Sequence, residues 1–344
     1  MLLRELGPLA QQPQPLALSD IPEPVLEDGE VLLRVSVCGV CHTELDEIEG
    51  RTPPPHLPVV LGHQVVGIVQ AMKPSKPAAP PGGLRVAQRV GVAWIYSACG
   101  VCKYCREGNE NLCVNFQATG RDANGGYAQY MKVKADFAHP IPDSISDLQA
   151  APLLCAGAVG YRALRLSNLK DGENLGLTGF GASNHLILKM VQHKYPNAKV
   201  FVFSRNAGER EFALSLGAAW AGAIDAAPPD KLDAVIDATP VWRPVTEALK
   251  HLTPGGRLVI NAIRKEEIDK DVLSQLDYAT QLWMEKEIKS VANVARQDVR
   301  EFLQLAAEAN IQPEVQEYGL KDANQALNEL KQGKIRGAKV LRVL

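Results

Sequence analysis

The stretch Asn174-Leu175-Gly176-Leu177-Thr178-Gly179-Phe180-Gly181-Ala182-Ser183-Asn184 decides the fold of this chain. Asn174–Thr178 is a short apolar run bounded by glycine, the pattern of a buried strand. Ser183–Lys194 carries apolar residues at helical spacing. Between them lies a Gly-x-Gly turn. In a strand–turn–helix context the first glycine makes the tight turn and the second lets the backbone approach a pyrophosphate. The phosphates then rest on the helix amino terminus. Gly179, Gly181, Ala182, Ser183 and Asn184 are therefore the candidate dinucleotide-binding residues. Asn184 stands where a third glycine is usual, so helix and strand must be brought together by other means.

The same texture extends outward. Lys199–Phe203, Leu232–Asp237 and Arg257–Ala262 read as further strands, with Glu209–Leu216 and Pro244–His251 as helices between them. Alternation of this kind predicts an α/β domain, a doubly wound parallel sheet wrapped on both faces. Upstream the chain is β-rich: Val31, Leu33, Val35 and Val37 alternate, and Val65, Val66, Ile68 and Val69 form another run. Lys73–Gly83, with four prolines and two glycines, reads as a surface loop. After a strand-like run at Ile288–Asn293 come helical patterns at Asp298–Ala309 and Asp322–Lys331 and a strand at Ala338–Val343.

A length of 344 residues suggests two domains. A net charge of −2 gives no reason to expect nucleic acid or an anionic membrane as partner. No apolar run is long enough for a bilayer span, and Met1–Gln12 lacks the order of a signal peptide, so a cytoplasmic location is expected.

Six of the seven cysteines fall into two groups, Cys38/Cys41 and Cys99/Cys102/Cys105/Cys113, with Cys155 alone. Thiolates two residues apart converge on one ion from a tight turn, and a fourth from a short loop completes a tetrahedron. Four sulfurs leave no position for water, so the Cys99, Cys102, Cys105 and Cys113 set predicts a structural zinc. A disulfide framework fits poorly with a long chain that has no export signal. An iron–sulfur cluster would need some other sign of electron transfer.

At the end of Lys199–Phe203 an acidic residue would ordinarily meet the adenosine ribose. Here the sequence reads Phe203-Ser204-Arg205-Asn206. No carboxylate stands there to repel a 2′-phosphate, and Arg205 could pair with one, which tips the expectation slightly from NAD toward NADP. Arg205 could equally be solvated or stack on adenine.

Three more segments join these: Gly39-Val40-Cys41-His42-Thr43-Glu44, Leu61-Gly62-His63-Gln64 and Pro152-Leu153-Leu154-Cys155-Ala156-Gly157. Singly each is weak, because a lone cysteine or histidine is more often packed than ligating. With the four-cysteine loop and the nucleotide fold, in this order, essentially the whole chain resembles the zinc-dependent medium-chain alcohol dehydrogenases. The resemblance implies a GroES-like, β-barrel-type catalytic domain (residues 1–156, with the structural-zinc loop at 97–115, and 291–344). A Rossmann domain (157–290) would be inserted into it, with the active site in the cleft between the two. It implies two zinc ions per chain and NAD or NADP. Cys41, His63 and Cys155 would hold the catalytic zinc, whose fourth position takes the substrate oxygen and favours the alkoxide. Thr43 would relay the proton, Glu44 would orient a ligand, and His42 and Arg336 would contact the cofactor phosphates. Cys38 is left as a strand residue. The substrate would be a small alcohol or aldehyde and the assembly a homo-oligomer, a tetramer being favoured over a dimer.

This chain departs from the family pattern in places. Gln64 replaces the usual glutamate after the histidine ligand, and Asp46 stands where many members end the relay on histidine. An aspartate binds a proton poorly near neutral pH, so the relay would end on water or take another route. Trp94 would narrow the pocket, whereas Thr52 leaves the opposite wall open. Two alternatives remain at this level. One is an NADP-linked aldehyde reductase, favoured by Ser204–Arg205. The other is a non-catalytic zinc- and nucleotide-binding protein, of which Gln64, Asp46 and Asn184 would be signs.

Overall fold

The computed structural model describes residues 1–74, 83–333 and 337–344. Most of the loop read at 73–83, and Arg336, lie outside them. The chain forms two compact units: Met1–Cys155 with Val294–Ala307 and Gln312–Leu344, and Ala156–Asn293 with Glu308–Ile311. Among the described residues no helix is long and apolar enough to cross a membrane.

The first unit is built on a seven-stranded, mainly antiparallel sheet. Its organising strand is Glu30–Val40, which pairs along its length with Val65–Lys73. On its other edge the first half pairs with Tyr130–Lys134 and the second half with Ala338–Arg342. The carboxyl-terminal strand thus completes the amino-terminal sheet. The alternation at Val31, Leu33, Val35 and Val37 suggests a strand with one wet face. In fact Leu32 and Cys38 are buried as well and only Arg34 is exposed, because the strand is covered on both sides.

The second unit is a six-stranded, all-parallel sheet. Its order is Trp220–Gly222, Lys199–Phe203, Asn174–Thr178, Leu232–Asp237, Leu252–Ile260, Glu287–Ser290. In chain order this is 3-2-1-4-5-6, the doubly wound arrangement. Buried parallel strands are near-continuous apolar runs, so three of them start and stop where the sequence places them. Three differ. Leu252–Ile260 begins earlier than expected, Trp220–Gly222 is too short to give a pattern, and Glu287–Ser290 is a fully exposed edge. Phe201, Phe203, Leu232, Val235, Leu249 and Leu258 fill a core on one side of the sheet. The helix Ala158–Ser167, not anticipated, packs on the helix Asn184–Lys194; the Cβ that Gly160 lacks would stand 3.0 Å from Ile187 and from Ser183 Oγ.

Candidate active site and metal centres

Cys41 is the N-cap of the seven-residue helix His42–Ile48. Glu44, at the third helical position, accepts from the Cys41 backbone N–H through Oε2 (2.8 Å). Its other oxygen, Oε1, lies 2.5 Å from His63 Nδ1. One buried carboxylate therefore fixes the cap and orients the imidazole. A histidine bonded this way through Nδ1 presents Nε2 as a ligand. His63 Nε2 is buried without a hydrogen-bond partner among the described residues.

Cys155 enters from the wide turn Leu153–Gly157 that follows the helix Asp147–Pro152. Its sulfur lies 3.9 Å from Cys41 Sγ, and Cys41 Sγ is 3.7 Å from Thr43 Oγ1. The ligand atoms of Cys41, His63 and Cys155 all lie within 4.8 Å of one another. The hydrogen bond from Cys155 holds the Cys41 thiol well below its ordinary range, and the same contact pushes Cys155 up. Burial opposes a charge on His63, but Glu44 and Cys41 outweigh it and raise its pKa. An orphaned imidazole nitrogen, two touching thiols and an anionic surround fit a soft divalent cation such as zinc.

Gly62 positions this histidine. Its φ is +97°, and a Cβ there would lie 2.4 Å from the Tyr127 ring and 2.8 Å from Cys38 Sγ. Gly62→Ala is expected to cost at least ~2 kcal/mol through left-handed strain and overpacking. It should lower metal content together with the denaturation midpoint. Unchanged values of both would show that His63 does not depend on this turn.

The departures acquire physical detail. Gln64 is buried, with its side chain over Gly39 in space that any Cβ would fill. Asp46 is paired with Arg51, which commits its carboxylate. Glu47, not singled out from sequence, is fully buried on the same helix, one turn beyond Thr43. Burial and Glu44 push its pKa well up. Trp94 packs against Phe116 with ring centroids 5.6 Å apart. His42 is exposed.

The second cluster is a separate lobe. The sulfurs of Cys99, Cys102, Cys105 and Cys113 all lie within 4.8 Å of one another, and none forms a disulfide. Backbone N–H groups are aimed at the sulfurs: Cys102 N to Cys99 Sγ at 3.4 Å, and Asn115 N to Cys113 Sγ at 3.3 Å. The N–H groups of Val101 and Cys102 bring the Cys99 thiol down to about 6, while burial pushes Cys105 up to about 12. Glu110 ties the lobe to the helix Arg296–Glu308 by accepting from both Nε and the backbone N–H of Arg296 (2.7 and 2.9 Å).

In the parallel unit, Gly179 has φ +74° and donates its N–H to Phe203 O (2.8 Å). A Cβ at Gly181 would meet no protein atom within 4 Å, so open space lies where a pyrophosphate would approach. Asn184 resolves the missing third glycine. Its buried amide donates to Thr178 O and Gly179 O (3.0 and 2.8 Å), pinning helix to strand. Ser183 Oγ donates to Ala156 O and accepts from Asn261 Nδ2. Ala182 lies in the turn just before the helix.

Arg205 is exposed. The Ser204 hydroxyl is not available to a phosphate, because it donates to Glu209 Oε2 at 2.6 Å. A carboxylate therefore does stand at the end of Lys199–Phe203. It arrives from the following helix, which sequence adjacency could not reveal.

Comparison with known proteins agrees with this architecture. Residues 27–143 match the alcohol dehydrogenase GroES-like domain, and residues 216–341 match the zinc-binding dehydrogenase domain. A probable alcohol dehydrogenase, AdhA, of Mycobacterium tuberculosis is 41% identical over 341 residues, covering 99% of this chain and 96% of that one. An alcohol dehydrogenase of Geobacillus stearothermophilus is 34% identical over 339 residues, covering 96% and 97%. The solved cinnamyl alcohol dehydrogenase of Sorghum bicolor superposes with a TM-score of 0.81 at 24% identity, covering 99% of this chain and 96% of that one. The chain belongs to the zinc-dependent medium-chain alcohol dehydrogenase family.

Proposed function

We propose that this NAD(P)-dependent alcohol dehydrogenase interconverts small primary or secondary alcohols with their carbonyl compounds at Cys41, His63 and Cys155. The observation that carries the reading is the orphaned His63 Nε2 beside two converging cysteine sulfurs, with Glu44 fixing the imidazole from the other side. A zinc ion held there would act as a Lewis acid toward the substrate oxygen, and the nicotinamide would carry the hydride. A second zinc on Cys99, Cys102, Cys105 and Cys113 would be structural.

The chain's own residues do the rest. Glu44 holds the His63 Nδ1 proton, which keeps Nε2 free to ligate. Thr43 Oγ1, beside the Cys41 sulfur, is placed to accept the proton of a substrate hydroxyl. Asp46 is occupied by Arg51, so the proton passes from Thr43 to water. Gly179 and Gly181 leave room for the cofactor pyrophosphate at the start of the helix Asn184–Lys194. The same reading extends to a cytoplasmic homo-oligomer. The fully exposed edge strand Glu287–Ser290, flanked by exposed Trp283 and Met284, supports self-association, and light scattering would test it.

The first measurement is the rate of reduced-cofactor formation with benzyl alcohol and a short primary alcohol, with NAD and NADP in parallel. Turnover is expected, and Thr43→Val should lower it about 10²-fold or more, with zinc content unchanged. Protein that binds two zincs yet turns over neither alcohol nor aldehyde would favour the non-catalytic reading.

A further inference from the structure

We infer that Glu209 is the residue that receives the adenosine ribose, and that it makes the chain select NAD against NADP; the inference rests on the dehydrogenase reading above. Asn206 caps the helix Ala207–Ser215, its Oδ1 accepting from Gly208 N and Glu209 N (2.8 and 3.3 Å). Glu209 is thus the third helical residue. From that position a glutamate ordinarily reaches back to the N-cap backbone N–H. Here that N–H is taken by Ser204 Oγ at 3.1 Å. The Glu209 carboxylate is turned instead toward the end of the strand Lys199–Phe203 and the glycine turn. Its Oε2 accepts from Ser204 Oγ (2.6 Å) and from the Phe180 backbone N–H (3.3 Å).

Phe180 lies between the two glycines of the Gly-x-Gly turn. A carboxylate anchored to its N–H and to the end of the second strand occupies the place from which doubly wound domains grip ribose hydroxyls. Oε2 is spoken for, while Oε1 makes no hydrogen bond among the described residues and is left for a ligand donor. A 2′-phosphate would bring about two negative charges against this carboxylate. Arg210 holds its Nη1 on Ser204 O at 2.7 Å, which turns that N–H toward the end of the strand. Arg205 remains, but it is exposed and makes no hydrogen bond or ion pair among the described residues. The geometry therefore reverses the slight NADP expectation of the sequence.

The test is fluorescence titration of the zinc-loaded protein with NADH and with NADPH, alongside turnover with NAD and NADP. The native protein should bind NADH at least about tenfold more tightly than NADPH. Glu209→Gln should weaken NADH about tenfold and bring the ratio close to unity, since a charge-assisted bond and a repulsion are lost together. Ser204→Ala, which removes one anchor but keeps the carboxylate, should retain the NADH preference. Glu211→Gln, on the same helix and exposed, is the control. A native protein that prefers NADPH, or a Glu209→Gln variant with an unchanged ratio, overturns the assignment while leaving the dehydrogenase reading intact. A folded native protein that binds neither cofactor overturns both.

Discussion

Cys41→Ser should lower turnover at least about 10³-fold, a loss of ~4 kcal/mol of transition-state stabilisation, while leaving the thermal midpoint nearly unchanged. The two halves of this expectation come from different properties of one side chain. As a ligand, Cys41 contributes a sulfur lying 3.9 Å from Cys155 Sγ, with a pKa held low within the cluster. A serine hydroxyl remains protonated and is a poor donor to a soft cation, so the Lewis acid is lost or weakened. As a structural element, Cys41 is the N-cap of His42–Ile48, with Glu44 three residues on already bonded to its N–H. Serine is among the best N-caps, and Ser-x-x-Glu is the capping-box pattern, so the substitution suits the helix. Zinc per chain should fall from two to one. Full turnover by the serine variant would sink the assignment of Cys41 as a ligand. Lost turnover with a collapsed midpoint would mean that the effect is on folding.

What could be read in the sequence was what lies close together along the chain. Cys99, Cys102, Cys105 and Cys113 span a single short lobe, so their spacing carries the geometry with it. Asn174–Thr178, Lys199–Phe203 and Leu232–Asp237 are buried on both faces, and continuous apolar runs mark such strands well. Cys41, His63 and Cys155 are far apart in sequence, and only resemblance to a family could join them. Glu44 as a ligand-orienting residue likewise came from the resemblance, and its bond to the Cys41 N–H is a local detail that the structure adds. Glu209 was not legible. Its position at the start of a helix gives it an ordinary capping role on paper, and only the diversion of the Asn206 N–H to Ser204 turns it toward the glycine loop. Glu47 was hidden for a related reason, since a glutamate on a short helix reads as solvated until the packing around it is known. In Glu30–Val40 the alternation of Val31, Leu33, Val35 and Val37 marks a strand but not its burial, since Arg34 is the only exposed residue of it.

The largest effect on stability should come from Cys105→Ser. Cys105 lies buried on the short helix Lys103–Arg106; it is 8% exposed, and its thiol is pushed up to about 12 by burial. Four cysteines around one zinc supply folding energy directly, and removing one donor opens the coordination shell. Apart from short turns and one small helix, the lobe has little regular structure of its own. It is fastened to the rest of its unit by Glu110, whose carboxylate is nine-tenths or more buried and paired with Arg296. If the sulfur cluster opens, that carboxylate loses its fixed partner geometry, and the damage extends beyond the lobe. A loss of ~5 kcal/mol is expected, which for a chain of 344 residues lowers the midpoint by about 7 °C. Zinc should again fall to one per chain, but here the remaining ion is the one at Cys41, His63 and Cys155, so turnover at low temperature should largely survive. The two cysteine variants thus make opposite predictions, one losing rate and keeping stability, the other losing stability and keeping rate. A Cys105→Ser protein that keeps both its midpoint and two zincs would mean that the four sulfurs do not share an ion.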